Sequence, residues 1–230
     1  MAKTDFATRK AGTTKGVPRK NILIVDDHPM MREGLRGIIN REPDLIVCGE
    51  ADSARKALLF VEKTTPDLAL VDITLPEKNG LELVKDLKKL RPDLPMLAIS
   101  MHDESLYAER MLRAGASGYI NKHQPPEEIL KAIRMALAGR IYVSQEMSES
   151  VLQRFSGGSK NTRSPLQILT DREVEIFQLF GEGKSVKEIA LQLCLSDKTV
   201  AVHSSNIRQK LKVKNTAQLI RLAVQSENGG

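Results

Sequence analysis

The chain has no tryptophan, three tyrosines and five phenylalanines among its 230 residues. Its cores must therefore be built from Leu, Ile, Val, Ala and Met. It has only two cysteines, Cys48 and Cys194, far apart and each flanked by apolar patterns. That excludes a disulfide framework, and both are expected to be small buried hydrophobes in a reducing cytosol. No apolar run approaches the ~20 residues that span a bilayer, so no membrane partner is expected. Met1–Lys20 lacks the apolar stretch of a secretory signal.

Acids are scarce at the ends. Met1–Lys20 holds six Lys/Arg against one acid, Asn21–Arg140 holds 17 against 19, and Ile141–Gly230 holds 12 against 9. The middle is slightly acidic and both ends are basic, which suits a polyanionic partner but describes a solvated surface equally well. The length allows one large domain or two ordinary ones.

What is present is an alternation of strand and helix patterns. Met1–Lys20 reads as a disordered basic tail. Short apolar runs at Asn21–Val25, Leu45–Cys48, Leu68–Val71, Met96–Ile99 and Gly118–Ile120 predict buried strands. Between and after them, helical spacing predicts helices at Pro29–Asn40, Ser53–Glu62, Gly80–Leu90, Glu104–Ala114 and Pro126–Ala138. Five βα units in a row predict one five-stranded parallel sheet with helices on both faces, over residues 21–140. Ligand chemistry in such a sheet belongs at the C-terminal ends of the strands. Residues 141–165 read as a linker, helical over Ser144–Phe155 and flexible over the Gly/Ser-rich Ser156–Ser164.

Residues 166–230 show helical patterns only. Thr170 with Glu173 and Ser185 with Glu188 are capping-box pairs, and Asn215 with Gln218 has the same spacing. Thr170–Gly183, Ser185–Leu193 and Ser196–Leu211 follow closely, and the tight turn at Cys194–Leu195 is helix-turn-helix spacing. From Lys198 to Lys214 there are five basic residues and no acid, which suits phosphate contact. A helical bundle with a solvated basic face would look the same on spacing alone.

The polar residues of the first half fall at one edge of the sheet. Asp26 and Asp27 follow strand one, Asp72 follows strand three, Ser100 follows strand four and Lys122 lies just past strand five. Three carboxylates in one pocket repel unless a cation neutralises them. A hard divalent ion with oxygen ligands, most naturally Mg²⁺, is expected, with Lys122 as a fixed second charge. Such a site can hold a phosphoryl group on a carboxylate nucleophile. A lone Asp after a strand is ordinarily a turn residue, but five polar groups at matching strand ends are not ordinary.

These residues carry a resemblance. Val25-Asp26-Asp27-His28-Pro29, Asp72-Ile73-Thr74-Leu75-Pro76 with Gly80, and Ser100, Tyr119 and Lys122 resemble the receiver domain of two-component response regulators. The Asp-Asp-His-Pro form is typical of the subgroup resembling NarL and FixJ. The resemblance implies a flavodoxin-like (CheY-like) α/β fold with Asp72 phosphorylated by a histidine kinase. It implies Mg²⁺ held by Asp27, Asp72 and the Thr74 carbonyl, with Asp26 acting partly through water. Ser100 and Tyr119 would be the switch pair and Lys122 the phosphoryl-binding cation. His28 reads as a neighbour of the pocket, neither ligand nor phosphate donor.

Leu169 to Phe177, Gly183 to Ala190 and Ser196 to Ile207 together resemble the LuxR-type helix-turn-helix domain. This implies double-stranded DNA as partner, with contacts from Lys198, Thr199, Ala201, Val202, Ser205, Asn206, Arg208 and Lys210. Members often carry Lys where Ala201 stands and a basic residue at Ser204 or Ser205. Base readout here is therefore expected to rest on Val202, Ser205 and DNA shape. The apolar content of Asn215–Val224 predicts a homodimer on phosphorylation, through Leu219, Ile220 and Ala223. The expectation is a cytoplasmic, phosphorylation-gated transcription factor with no catalytic residues. An Mg²⁺-dependent phosphatase with an aspartyl nucleophile is the competing reading. It needs a second carboxylate two residues after Asp72, and Thr74 stands there.

Overall fold

A computed structural model describes residues 18–76, 78–101, 104–149 and 165–227. Most of the expected basic tail, the C-terminal half of the Ser144–Phe155 helix and the linker Ser156–Ser164 lie outside these residues. The first domain alternates β1 (Lys20–Val25), α1 (Pro29–Asn40), β2 (Leu45–Ala51), α2 (Ala54–Lys63), β3 (Leu68–Asp72), α3 (Gly80–Leu90), β4 (Met96–Ser100), α4 (Glu104–Ala114), β5 (Gly118–Asn121) and α5 (Pro126–Leu137). All four strand pairings are parallel. The sheet order is β2-β1-β3-β4-β5, so the order reverses between β1 and β3. That reversal opens a crevice at their C-terminal ends, where Asp26, Asp27 and Asp72 stand.

Both faces of the sheet are covered, as the unbroken apolar strands require. Ile22, Ile24, Leu68, Leu70, Leu97 and Ile99 point to one face and pack with Leu35 and Ile39 of α1 and Ile129 and Ile133 of α5. Their neighbours Leu23, Val25, Ala69, Val71, Met96 and Ala98 point to the other, with α2, α3 and α4. The second core continues into the C-terminal domain through Val174, Phe177 and Phe180.

The C-terminal domain holds α6 (Asp171–Gly181), α7 (Val186–Gln192), α8 (Asp197–Leu211) and α9 (Thr216–Glu227), after a 3-10 turn at Pro165–Ile168. Both capping boxes form: the Thr170 and Ser185 hydroxyls accept the third helical N–H, and Glu173 and Glu188 accept the cap's own N–H. At α9 the Gln218 N–H donates to Asn215 Oδ1 (2.9 Å).

The cysteine expectation is corrected: both thiols are exposed. β2 is an edge strand, and Cys48 within it is exposed. Cys194 occupies the turn before α8 with a left-handed backbone, φ 52°.

Between the domains, residues 145–149 are helical. Just before them Tyr142 makes a parallel bridge to Gly118 of β5. The Tyr119 N–H donates to Tyr142 O (2.9 Å), and the Tyr142 N–H donates to Ser117 O (3.0 Å). Gly118 permits this approach, because a Cβ there would sit 2.4 Å from Tyr142 O. No helix among the described residues is long and apolar enough to cross a membrane.

Candidate phosphoacceptor pocket and nucleic-acid interface

The strand ends bring the expected pocket together. Asp26, Asp72 and Ser100 are buried, and the Asp27 side chain is about one-third exposed. Lys122 Nζ lies 2.7 Å from Oδ2 of both Asp72 and Asp26. The approach to Asp72 is a directed hydrogen bond. The other Asp72 oxygen accepts the Thr74 N–H (3.2 Å). Asp26 Oδ1 accepts the His28 N–H (2.8 Å). The Lys122 N–H donates to Ser100 O (2.7 Å), which fixes the lysine's backbone to β4. Tyr119 is fully buried in β5, beside that strand. Gly80 lets α3 start against the acceptor, since a Cβ there would meet Asp72 O at 2.1 Å.

The electrostatics are those of a charged site taken out of water. Burial pushes the Asp72 carboxyl up to about 6, with Lys122 opposing and Asp26 reinforcing the rise. Burial also works against the charge of Lys122. The carboxylates of Asp72 and Asp26 outweigh it, so the ammonium holds its proton more tightly than usual. One oxygen of each of Asp26, Asp27 and Asp72, with a ring nitrogen of His28, lie within 4.8 Å of one another. Asp26 Oδ2 and Asp27 Oδ1 are buried and accept no well-aligned hydrogen bond, though Lys122 Nζ lies 2.7 Å from the first and His28 Nδ1 2.8 Å from the second. Carboxylate oxygens converging on one point are the donor set that suits a hard divalent cation.

Over the acceptor loop lies the C-terminal domain, through residues the sequence did not single out. Tyr107 of α4 is buried and its hydroxyl donates to Gln178 Oε1 of α6. Arg110 donates to Asp171 (2.8 Å), Leu166 O (2.9 Å) and Leu169 O (2.8 Å). Lys85 pairs with Asp171 (2.8 Å). Asn79 caps α3 and reaches Glu175 (3.4 Å), whose carboxyl is raised by burial. A cavity of about 20 Å³, room for about one water, lies between Ile73, Thr74 and Asn79 on one side and Glu175, Gln178 and Leu193 on the other.

Model matches agree with both halves of this geometry. Residues 22–134 match the response regulator receiver domain, and residues 167–223 match the bacterial regulatory proteins of the luxR family. The chain is a two-component response regulator. This response regulator is 34% identical to the nitrate/nitrite response regulator protein NarL of Escherichia coli K12, over 86% of this chain and 91% of that one. It is also 34% identical to the transcriptional regulatory protein DegU of Brevibacillus brevis, over 86% and 90%. Among solved structures it is similar to RcsB from Salmonella enterica serovar Typhimurium, bound to promoter rprA in the presence of phosphomimetic BeF3-. That likeness has 26% identity and a TM-score of 0.64, covering 88% of this chain and 97% of the other. The family is one of transcriptional regulators with a LuxR-type DNA-binding domain.

In the response regulator's α8, Val200, Ser204 and Ile207 face inward and are buried. Lys198, Ala201, Val202, Ser205 and Asn206 are exposed, and Arg208 is half-buried. Gln209, absent from the sequence reading, is exposed on the same stripe as Lys198 and Ser205. Periodicity from Lys198 at positions four, seven and eleven later would have included it. Two expected contacts have internal partners. Lys210 Nζ pairs with the buried Glu173 carboxylate of α6 (2.6 Å), and the Thr199 hydroxyl lies 2.8 Å from that of the cap residue Ser196.

The expected dimer residues need correction. Leu219 and Ala223 are fully buried, and Ile220 packs against the same core. The apolar surplus of α9 is consumed by its own domain, chiefly against α6. The exposed stripe of α9 is Ala217, Arg221 and Val224.

Proposed function

We propose that Asp72 accepts a phosphoryl group from a histidine kinase and that the modified chain binds double-stranded DNA as a dimer to regulate transcription. The observation that carries this reading is the 2.7 Å approach of Lys122 to the buried Asp72 carboxylate at the crevice of the sheet. Mg²⁺, held by Asp27, Asp72 and the Thr74 carbonyl with Asp26 partly through water, would neutralise the carboxylates and bind phosphoryl oxygens. An Asp72 oxygen attacks phosphorus as the donor's bond to it breaks, and the leaving group departs with the electron pair. Lys122 holds its proton throughout and pairs with a phosphoryl oxygen. The Ser100 hydroxyl turns to another oxygen, and Tyr119 moves toward the space it vacates. That shifts an existing two-state equilibrium. Thr74, where a phosphatase would need its second carboxylate, supports a regulator over an enzyme. The chain would act in the cytoplasm, where its kinase delivers phosphate.

On DNA, α8 of each subunit would enter the major groove, with Lys198 and Arg208 on phosphates. The α9 stripe of Ala217, Arg221 and Val224, in place of Leu219 and Ala223, offers the dimer contact. Incubation with acetyl phosphate and Mg²⁺ should add one acid-stable, alkali-labile phosphoryl group. Full labelling of Asp72→Asn would overturn the assignment.

A further inference from the structure

α8 carries four aliphatic side chains besides its alanine, and they divide sharply. Val200 and Ile207 are fully buried and Leu211 packs against the core, but Val202 is 53% exposed. Ala201 beside it is exposed too. Ser205, one turn on, lies between them on the helix surface, with Lys198 and Gln209 above and below on the same stripe. Core packing does not explain this pair, because the buried stripe of α8 lies on the opposite side.

Three small side chains in the middle of the exposed face let the helix backbone come close to a surface. Two of them cannot donate or accept a hydrogen bond. In the major groove of unmodified DNA, the apolar group on a base edge is the C5-methyl of thymine. Of the five basic residues from Lys198 to Lys214, Lys210 is paired with Glu173, and the other four supply the charge that matches a polyanion.

We propose that Ala201 and Val202 form a methyl-reading shelf that selects thymine in each half-site, with the Ser205 hydroxyl turned to a neighbouring polar edge. This rests on the reading of α8 as the DNA-contacting helix and names what that helix prefers. Sequence selectivity here then comes from shape and apolar contact, and the charged residues around the shelf hold it in register.

The test uses the full-length chain treated with acetyl phosphate and the duplex it enriches most from a random library. Each thymine of the half-site is replaced in turn by deoxyuridine, which removes only the methyl. For the parent, deoxyuridine at one position per half-site should weaken binding about fourfold per methyl. Val202→Ala should bind the thymine and deoxyuridine duplexes alike, because Val202 is exposed and its truncation leaves the fold intact. Lys198→Ala should weaken both duplexes and keep the parent's ratio. Deoxyuridine tolerated at every position by a parent that still selects its sequence would overturn the shelf and leave the DNA-binding reading standing. A Val202→Ala change that alters self-association without DNA would assign the residue to a protein interface and also overturn it. Failure of the parent to enrich any duplex would overturn both the shelf and the DNA-binding reading beneath it.

Discussion

At the scale of the residue, Asp72 is held where its charge is costly. Its carboxyl is raised from 3.8 to about 6 by burial. A group with a raised folded pKa contributes stability present below its unfolded value and lost as pH rises through the folded one. Between about pH 4 and pH 6 the Mg²⁺-free protein should therefore lose about 3 kcal/mol from this group. Asp72→Asn should remove that loss, giving a higher melting temperature at pH 7.5 in EDTA. Added Mg²⁺ should stabilise the parent more than the variant. Calorimetry across pH checks both; a parent no less stable than Asp72→Asn at pH 7.5 would contradict the electrostatics. Asp26, Asp72, Ser100 and Lys122 were legible in the sequence because strand ends converge by topology alone. Tyr107 and Gln178 were not, since a contact spanning 71 positions leaves no periodic trace.

At the scale of the element, α8 and α9 separate what the sequence joined. Lys198 and Lys210 looked equivalent as positive charges on one helix. Lys210 is spent on Glu173, whose carboxylate also closes the capping box of α6. Lys198→Ala should flatten the salt dependence of DNA binding by about one unit of slope. Lys210→Ala should leave that slope unchanged and lower the stability of the domain, as titrations at several salt concentrations and thermal melts will show. Leu219→Ala should cost about 2–5 kcal/mol of folding stability, the range for a buried leucine. Val224→Ala should leave the melt nearly unmoved and weaken dimerisation, measured by sedimentation. Helix existence and caps were legible because hydrophobic period and capping chemistry are local. Which side of α9 stays wet was not, because that depends on α6. Cys48 was misread for a related reason: an edge strand is apolar in pattern and half exposed in fact.

At the scale of the whole molecule, the second domain rests on the loop that carries the phosphoacceptor. Arg110 ties three groups of the C-terminal domain to α4. Arg110→Ala should cost docking about 1.5–3 kcal/mol, the worth of a hydrogen bond to a charged group. Small-angle scattering should report a larger radius for the variant and none of that change for the isolated receiver. Glu175, raised by burial and by Glu82 against the opposing effects of Arg172 and the Asn79 hydrogen bond, adds a pH dependence. Its contribution is present below its ordinary 4.5 and lost as pH climbs through the raised value, so docking should loosen with rising pH and Glu175→Gln should flatten the trend. Two domains and their order were legible because the pattern changes from alternating to purely helical. That they pack together is what the family resemblance implies for the unphosphorylated state; which residues make the contact was not legible, because polar residues such as Asn79 and Gln178 read as ordinary surface.

The bridge of Tyr142 onto Gly118 has a practical reach of its own. β5 ends the sheet, and the bridge occupies hydrogen-bonding groups that would otherwise be open to another chain. A receiver fragment cut at Ala138 would lose that cover and recruit neighbouring molecules edge to edge. A fragment carried on to Glu149 would keep it and stay dispersed, so a few residues past the last receiver helix decide between a precipitate and a usable sample.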